Sequence, residues 1–289
     1  MRANQKPGVV AVVAMAMTCA FALGCGFSVN TTTSDGPIDV LPPDIPIDES
    51  VSTPRVTTGL IGLWRFDEGS GAVVRDRAIP PSGMTPMDLT ITPTTAISWV
   101  AGGLDVVAKA SIASSDNPHA GRQINDADAM TIEVWLTPND VTQGTGPADA
   151  GGPDFATVVT LSGSIVSRAA TIAQVGDHWI GRIRTTIDGN GNPEIVTPAG
   201  TASTAVTHLV LVASPTSRGL FVNGVVSMSS PSGVGSLDWD IHYPFRLSDE
   251  AVYDRRWSGK IWLMAVYNRA LNAAEVEQNR MAGHNCADC

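Results

Sequence analysis

Charged residues are scarce in this chain of 289 residues, where they make up 16% of the sequence, and the basic ones are the scarcer kind. Lys and Arg together number 18 against 28 Asp and Glu, which gives a formal net charge of −10. An acidic chain repels phosphate backbones and anionic lipid headgroups. The charge balance therefore argues against nucleic acid as a partner, and it identifies no ligand.

Familiar catalytic signatures are missing too. The chain contains no HExxH, P-loop, GxGxxG or GxSxG segment. Its five histidines are scattered, and we interpret His178 and His208 as structural residues on strands, while a convergent triad stays open. The sequence gives no motif for an enzyme, a metal site or a cofactor, and we predict none of the three.

An apolar run near the amino terminus is too short to span a membrane. It extends over fifteen residues, from Val9 to Leu23, and it follows Arg2 and Lys6. A membrane span needs about 20 residues, whereas a basic start and a shorter apolar run are typical of a secretory signal peptide. We therefore predict that residues 1–24 are a signal peptide and that the protein is exported.

The apolar run ends in the letters FALGC, of which Cys25 is the last. A small residue directly before Cys resembles a bacterial lipobox, although Ala22 replaces the usual Leu three positions before the Cys. The resemblance implies lipidation of Cys25 and anchoring at the outer membrane or cell surface, with membrane contact through the lipid only. The alternative is an ordinary signal peptide cleaved near Gly24 or Gly26, which would release the protein.

Residues 25–58 are rich in Pro, Thr and Asp. A segment of this composition cannot bury enough apolar surface to fold, and its Pro residues and like charges favour an extended chain. We predict a disordered tether that holds the next domain away from the membrane.

From residue 59 onward the pattern is that of a sheet protein. Gly, Pro, Ser and Thr are abundant while charged residues are few, which suits short strands joined by turns. Asn223-Gly224 between two apolar runs predicts a hairpin turn. The candidate strands cover residues 60–66, 72–76, 88–92, 97–100, 104–108, 130–136, 156–161, 170–175, 178–186, 207–213, 219–222 and 261–267.

The last candidate strand is apolar on both faces and leads into a short helix. Asn272, followed three residues later by Glu275, predicts a capping box at the start of that helix. Gly283 supplies its end. We therefore predict one domain over residues 59–283 and a Cys-containing tail over residues 284–289.

Three stretches of this domain resemble one known family. They read GLIGLWRFDEGSGAVVRDRA from Gly59, HLVLVASPTSRGLFVNGV from His208 and GKIWLMAVYNRALNAAEVEQN from Gly259. In order and spacing they resemble bacterial laminin-G-like domains of the concanavalin A-like lectin/glucanase superfamily, over about residues 60–280 and weakly over residues 79–129. The resemblance implies an all-β jelly-roll sandwich of two antiparallel sheets with a short C-terminal helix, in which the first strand lies beside the last.

The resemblance also bears on chemistry. The glucanase branch carries its carboxylates in ExDxxE or ExDxE runs, which this chain lacks, because Glu133 stands alone and Asp238-Trp239-Asp240 has no Glu beside it. Many relatives bind calcium through an Asp at the position of Trp262, which cannot ligate a metal. The resemblance therefore implies a noncatalytic module that binds carbohydrate or protein without a metal.

In this fold class the concave sheet and the rim loops bind ligands. Arg182 and Arg184 share one face of a strand, while Trp239 and Tyr243 lie in a rim segment. Arg offers planar bidentate recognition, and an aromatic ring offers a platform for a sugar. We take these four residues as candidate ligand-binding residues, with packing in the core or at an edge as the alternative for the aromatic ones.

Two loops and the tail leave alternatives open. We expect the long Gly- and Pro-rich loop over residues 137–154 to be disordered rather than a binding loop. Residues 188–192 begin like a calcium loop, but Pro193 interrupts the pattern, so we interpret them as a hairpin turn. Cys286 and Cys289 favour a disulfide in an exported protein, against a redox pair or half a zinc site.

These features together predict a lipid-anchored module that binds a glycan or a surface protein at the bacterial envelope. One alternative is a structural or protein-interaction component of the envelope without affinity for sugars. The other alternative is a divergent glycoside hydrolase.

Overall fold

The computed structural model of the protein describes residues 53–79, 85–116, 118–145, 155–164, 166–230, 235–250 and 255–285. The chain divides into two units, residues 1–49 and 50–289, and every described residue belongs to the second. The predicted signal peptide, Cys25, most of the predicted tether, and Cys286 with Cys289 lie outside the described residues. Among the described helices, none combines the length and the hydropathy that crossing a membrane would require.

The described residues form sixteen strands and two α-helices. The first eight strands are β1 (Leu60–Trp64), β2 (Val73–Val74), β3 (Leu89–Thr92), β4 (Ile97–Val100), β5 (Gly103–Val106), β6 (Ser111–Ser114), β7 (Met130–Pro138) and β8 (Ala156–Ser164). The other eight are β9 (Ser167–Val175), β10 (His178–Ile183), β11 (Ile195–Val196), β12 (Thr207–Ser214), β13 (Ser217–Val222), β14 (Val225–Ser230), β15 (Phe245–Leu247) and β16 (Gly259–Tyr267). The helices are α1 (Pro118–Ala127) and α2 (Ala273–Ala282).

The strands assemble into two sheets of eight. Sheet A has the order β14-β13-β12-β7-β16-β5-β4, and β1 pairs with β16 beside this path. Sheet B has the order β11-β10-β9-β8-β15-β6-β3-β2. The neighbouring strands pair antiparallel, with the first strand beside the last as the resemblance implied. This architecture confirms the predicted all-β antiparallel sandwich with a short C-terminal helix.

The core lies between the facing sides of the two sheets. Because side chains alternate between the faces of a strand, every second residue of β7 enters this core while Glu133 and Trp135 lie on the other side. Sheet B contributes Trp179 and Ile183 of β10 in the same way. Removing these apolar side chains from water is the main force that holds the sheets together.

Two short-range predictions are confirmed. Asn223 and Gly224 have φ values of 53° and 83°, which the tight turn between β13 and β14 requires. At the start of α2, the Glu275 amide donates to Asn272 Oδ1 at 3.0 Å and the Asn272 amide donates to Glu275 Oε2 at 2.9 Å. This reciprocal pair is the predicted capping box.

Several elements differ from the sequence-based expectation. Helix α1 lies where only strands and turns were expected, with Pro118 in its first turn, a position that tolerates the missing amide hydrogen. Strands β6, β11, β14 and β15 were also not predicted, although strands of similar length such as β3 and β4 were, because alternation over so few residues is an ambiguous signal. The expectation of disorder is wrong for residues 139–145, where the Gln143 side chain donates to Ser258 O at 2.8 Å and accepts from the Ser258 amide at 2.6 Å. The rest of that loop, residues 146–154, lies outside the described residues.

Removal of the helix cap should lower the stability of the domain. We expect Asn272→Ala to reduce the free energy of unfolding by about 1 kcal/mol, because the first turn of α2 loses its acceptor. Asn272→Asp keeps an acceptor at the same place and should unfold close to the wild-type urea concentration. An Asn272→Ala protein with an unchanged urea midpoint would contradict the role of the cap.

Candidate functional site

The outer face of sheet B, the face turned away from sheet A, carries a row of polar side chains. Antiparallel pairing aligns Arg182 with Thr171, Thr171 with Thr160 and Thr160 with Arg246 across four neighbouring strands. The Thr160 and Thr171 hydroxyls hydrogen-bond at 2.8 Å. The register thus places two arginines at the two ends of one row, about 14 Å apart for three strand spacings.

One end of this row belongs to a cluster of arginines around Phe155. The guanidinium carbons of Arg168, Arg182 and Arg255 lie 5.3, 4.8 and 4.1 Å from the centre of the Phe155 ring. The electron-rich ring face attracts these cations. All three arginines and Phe155 are buried, so the Phe155 cluster is part of the packed structure rather than an open surface.

Two glutamates balance the Phe155 cluster. Glu250 accepts from Arg168 Nε and, at 3.0 Å, from Arg168 Nη2. Glu194 accepts from Arg182 Nε at 2.8 Å and from Arg182 Nη2 at 2.6 Å. Arg182 is only 1% exposed, so its guanidinium is held by Glu194 beneath the surface.

A cavity of about 330 Å³ lies beside the Phe155 cluster, on the outer face of β15 and β6. This volume is at the lower end of the range of small-ligand sites. Its polar lining comes from Thr92, Lys109, Ser111, Arg246, Asp249 and Glu250. Arg246 reaches this face because its neighbours Phe245 and Leu247 point into the core.

The charged groups of the cavity differ in how they are partnered. Asp249 Oδ1 accepts from the amides of Glu250 at 2.7 Å and Arg255 at 3.1 Å, and its Oδ2 lies 3.7 Å from Lys109 Nζ. The half-buried Arg246 forms neither a hydrogen bond nor an ion pair with any part of the chain that the structure describes. Burial lowers the pKa of Arg246 from its ordinary value. The cavity therefore presents one partly desolvated cation that forms no ion pair with a described acidic side chain, although Asp249 and Glu250 belong to the same lining.

The other residues selected from the sequence lie elsewhere. Trp239 is in the main core, and its Nε1 donates to the carbonyl oxygen of Arg184 at 2.9 Å. Tyr243 is half-buried, with its ring over the Cα of Gly163. The structure thus brings Arg184 and Trp239 together through a backbone contact, and the guanidinium of Arg182 binds Glu194.

Sequence reasoning missed the cavity. Arg246 and Lys109 were not predicted as ligand-binding residues, because strands β15 and β6 were not predicted. The available signal was the alternation in Phe-Arg-Leu at residues 245–247, which places an arginine opposite two core residues.

A second polar cluster lies on the outer face of sheet A around Glu133. This residue, which stands alone in the sequence, is fully buried and binds Arg55 Nη1 at 2.5 Å, His208 Nε2 at 3.0 Å and Asn279 Nδ2 at 2.7 Å. The Tyr267 hydroxyl accepts from Asn279 at 2.9 Å. An isolated Glu in an apolar strand signals such a network, because a buried carboxylate needs partners.

The Glu133 network fixes the protonation state of its carboxylate. Burial alone would raise the pKa of Glu133, but the charge of Arg55 and the hydrogen bond from His208 outweigh it and lower the pKa to about 2. Arg55 and Val56 belong to the segment predicted as a tether, and both side chains are buried against the domain. The network therefore joins this segment to β7 and α2 through a permanent charge.

Aromatic rings cover the edge of the Glu133 network. Trp135 stacks on His208 with ring centres 4.6 Å apart, and His284 lies 5.4 Å from both Trp135 and Trp262. Trp262, at the position where the resemblance puts a calcium-binding Asp, donates to Thr137 Oγ1 at 2.9 Å. Within the described ranges, no group of three His, Cys, Asp or Glu side chains is arranged to hold a metal ion.

The fold defines this chain as a β-sandwich of two antiparallel sheets. The family model of the Concanavalin A-like lectin/glucanases superfamily matches residues 111–277, which is more than half of the chain. The chain belongs to this superfamily. A search of curated protein sequences finds no significant match.

Solved structures with the same fold include both binding domains and a hydrolase. The binding domain of botulinum neurotoxin serotype D/C VPI 5993 is 7% identical over 77% of this chain, with a TM-score of 0.56. The binding domain of botulinum neurotoxin DC in complex with SialylT is 8% identical over 78% of this chain, also at 0.56. A sialidase of Trypanosoma rangeli is 13% identical over 78% of this chain, with a TM-score of 0.54. This chain spans 52% of each toxin domain and 33% of the sialidase, so the likeness concerns the fold.

Loss of the Glu133 charge should destabilise the protein strongly. We expect Glu133→Gln to lower the free energy of unfolding by about 3 kcal/mol at pH 7, because the buried Arg55 loses the carboxylate that faces it. The folded pKa of Glu133, about 2, is below the ordinary 4.5, so the contribution is complete above pH 4.5. It is lost as the pH falls from 4.5 to 2. Urea unfolding of both proteins between pH 7 and 2 measures this.

The stability difference between the two proteins should stay constant from pH 7 to about 5 and then narrow in more acidic solution. Glu277→Gln removes a carboxylate from an exposed pair with Arg280 and serves as the matched control, for which we expect a much smaller change. A difference that stays constant down to pH 2 would rule out the charge of Glu133 as its source.

Proposed function

We propose that this protein is a noncatalytic module that binds a glycan in the cavity on the outer face of sheet B. The observation that carries this proposal is the cavity itself, about 330 Å³ in volume and lined by hydroxyl and charged side chains. A small number of placed polar groups in a concave site is what orientation of a sugar requires. A botulinum neurotoxin binding domain of the same fold, in complex with SialylT, supports the assignment by analogy of fold only.

The partnering of the carboxylates supports a binding role over hydrolysis. A glycosidase needs two carboxyl groups free to exchange protons and to approach the sugar. In the cavity, Glu250 is held by two hydrogen bonds from Arg168, and Asp249 accepts from two backbone amides. Glu133 is fully buried on the other sheet. Because a sialidase has a similar fold, glycoside hydrolysis is the alternative that an activity assay must exclude.

A specific observation favours protein contact as a second candidate function. Strand β14 forms one end of sheet A and exposes Val225, Val226 and Met228 by 68%, 48% and 47%. Unpaired strand edges with apolar side chains are surfaces on which other chains pair. A structural or protein-interaction role at the envelope therefore stays the alternative to glycan binding.

A glycan array with the full chain tests the binding function. We expect signal for the wild-type protein and its loss in Ser111→Trp, because Ser111 is an exposed residue of the cavity lining and indole would fill the space. Ser217→Trp places the same indole at an exposed serine of sheet A and should keep the signal. A wild-type protein that binds no glycan, or a Ser111→Trp protein that keeps the signal, would reject the cavity as a glycan site.

Display at the envelope is part of the proposal, and it depends on lipidation of Cys25. We expect labelled palmitate to be incorporated into the wild-type chain expressed in a bacterial host and to be absent from Cys25→Ser. Ser28→Ala, three residues further along, should incorporate label normally. Absence of label from the wild-type chain would leave the alternative of a conventional secretory signal.

A further inference from the structure

We propose that the ligand of the sheet B cavity is a saccharide that carries a carboxylate, and that Arg246 receives this carboxylate. The inference rests on the proposed glycan-binding function and narrows it from sugars in general to acidic sugars. It also assigns the specificity-determining residue.

Arg246 lines the cavity with a partly buried guanidinium group. Its Nε is buried, and the guanidinium has no acceptor among the residues that the structure describes. Buried arginines are normally paired, and on this face Arg168 and Arg182 each bind a glutamate with two N–H groups. Arg246 differs in this respect from Arg168 and Arg182. A planar anion such as a carboxylate supplies the two acceptors that a guanidinium fork matches.

The cavity and its surroundings carry a local excess of positive charge. The cavity and its immediate neighbours contain four basic and two acidic side chains among the described residues, namely Lys109, Arg168, Arg246 and Arg255 against Asp249 and Glu250. This excess of positive charge occurs in a chain whose formal net charge is −10. A cleft of opposite sign to its surroundings concentrates ligands of the complementary charge, here an anion.

The two acids of the lining do not repel an anion, because other groups of the protein already bind their oxygens. Glu250 is 5% exposed and directs both oxygens towards Arg168, while Asp249 is 6% exposed and accepts from backbone amides. The Lys109 side chain is 59% exposed, and its Nζ lies 3.7 Å from Asp249 Oδ2. The positive charge of the lining that forms no ion pair with a described residue is therefore that of Arg246.

The lining of the cavity favours an acidic sugar over a neutral one. Neutral sugars are held largely by stacking on aromatic rings, and the described residues that line this cavity include no Phe, Tyr or Trp. The hydroxyls of Thr92 and Ser111 and the ring of Pro93 remain to contact the sugar ring. Ionic attraction is thus the main source of affinity that the cavity offers. Hydrogen bonds from the hydroxyls of Thr92 and Ser111 to those of the saccharide orient the sugar ring.

Isothermal titration calorimetry with the full chain and two matched pairs of ligands tests the inference. One pair is a hyaluronan tetrasaccharide and chitotetraose, and the other is sialyllactose and lactose. We expect at least one acidic ligand to bind about tenfold or more tightly than its neutral match, with an affinity that falls as salt is raised. Arg246→Gln should remove this preference while leaving the thermal unfolding midpoint close to that of the wild type.

Arg122→Gln on the exposed face of α1 is the matched control, because it changes the net charge equally away from the cavity and should keep the preference. Lys109→Gln should weaken acidic binding less than Arg246→Gln, and it provides a second readout if the arginine variant unfolds. A preference for the acidic ligand that survives Arg246→Gln overturns the assignment of Arg246.

Failure of this inference is distinguishable from failure of the glycan-binding function. If neutral glycans bind as tightly as their acidic matches and Ser111→Trp removes both, the carboxylate specificity is overturned while the glycan site stands. If neither the calorimetry nor the array detects any saccharide, both are overturned.

Discussion

Strand β16 is the element on which the architecture depends, because its backbone hydrogen bonds join strands from three distant parts of the chain. It pairs with β5 near its start, with β7 along most of its length and with β1 near its end. Its residues from Leu263 to Tyr267 are fully buried, so the strand is covered on both faces. Because β16 is covered on both faces, the apolar side chains of both faces are removed from water, and this burial stabilises the strand.

The residues that pack on the outer face of sheet A at β16 are polar as well as apolar. The polar ones are there because they bind the buried carboxylate of Glu133. Glu133 lies on β7, beside β16, and needs partners because a buried carboxylate is costly without them. Arg55 from the amino-terminal segment and Asn279 from α2 supply those partners. The amino-terminal segment and the C-terminal helix of the domain therefore both bind the Glu133 carboxylate. Arg55 also donates to Gly283 O at 2.6 Å.

Sheet B treats its charges differently, and the difference separates structure from candidate site. Around Phe155 the arginines are buried and paired with glutamates, so their charges serve packing. At β15 the same face is accessible. There Arg246 lines a cavity and forms no ion pair with a described acidic residue. The outer face of sheet B is thus buried around the Phe155 cluster and accessible at β15 and β6. The candidate site lies in the accessible part.

Local signals in the sequence were sufficient for much of the fold. The alternation in residues 130–136 and 261–267, the Asn223-Gly224 turn and the capping box at Asn272 each depend on neighbours within a few residues, and each is present in the structure. The pairing of the first strand with the last followed from the family resemblance. Short elements gave mixed results: β3 and β4 were predicted while β6 and β15, of four and three residues, were not, because alternation over so few residues is an ambiguous signal.

The candidate site depends on contacts between residues far apart in the chain. Arg182 and Arg246 occupy the same face of sheet B, and the sequence gives both the same recognition chemistry. Only the tertiary structure decided that Glu194 binds the first and that no described side chain binds the second. The sequence by itself determined many of the strands and turns, because alternation and turn chemistry are local properties of the chain, and the family resemblance supplied the two-sheet sandwich. Which polar groups are buried and which are left for a ligand was decided by packing, because an ion pair depends on side chains that only the folded sheets bring together.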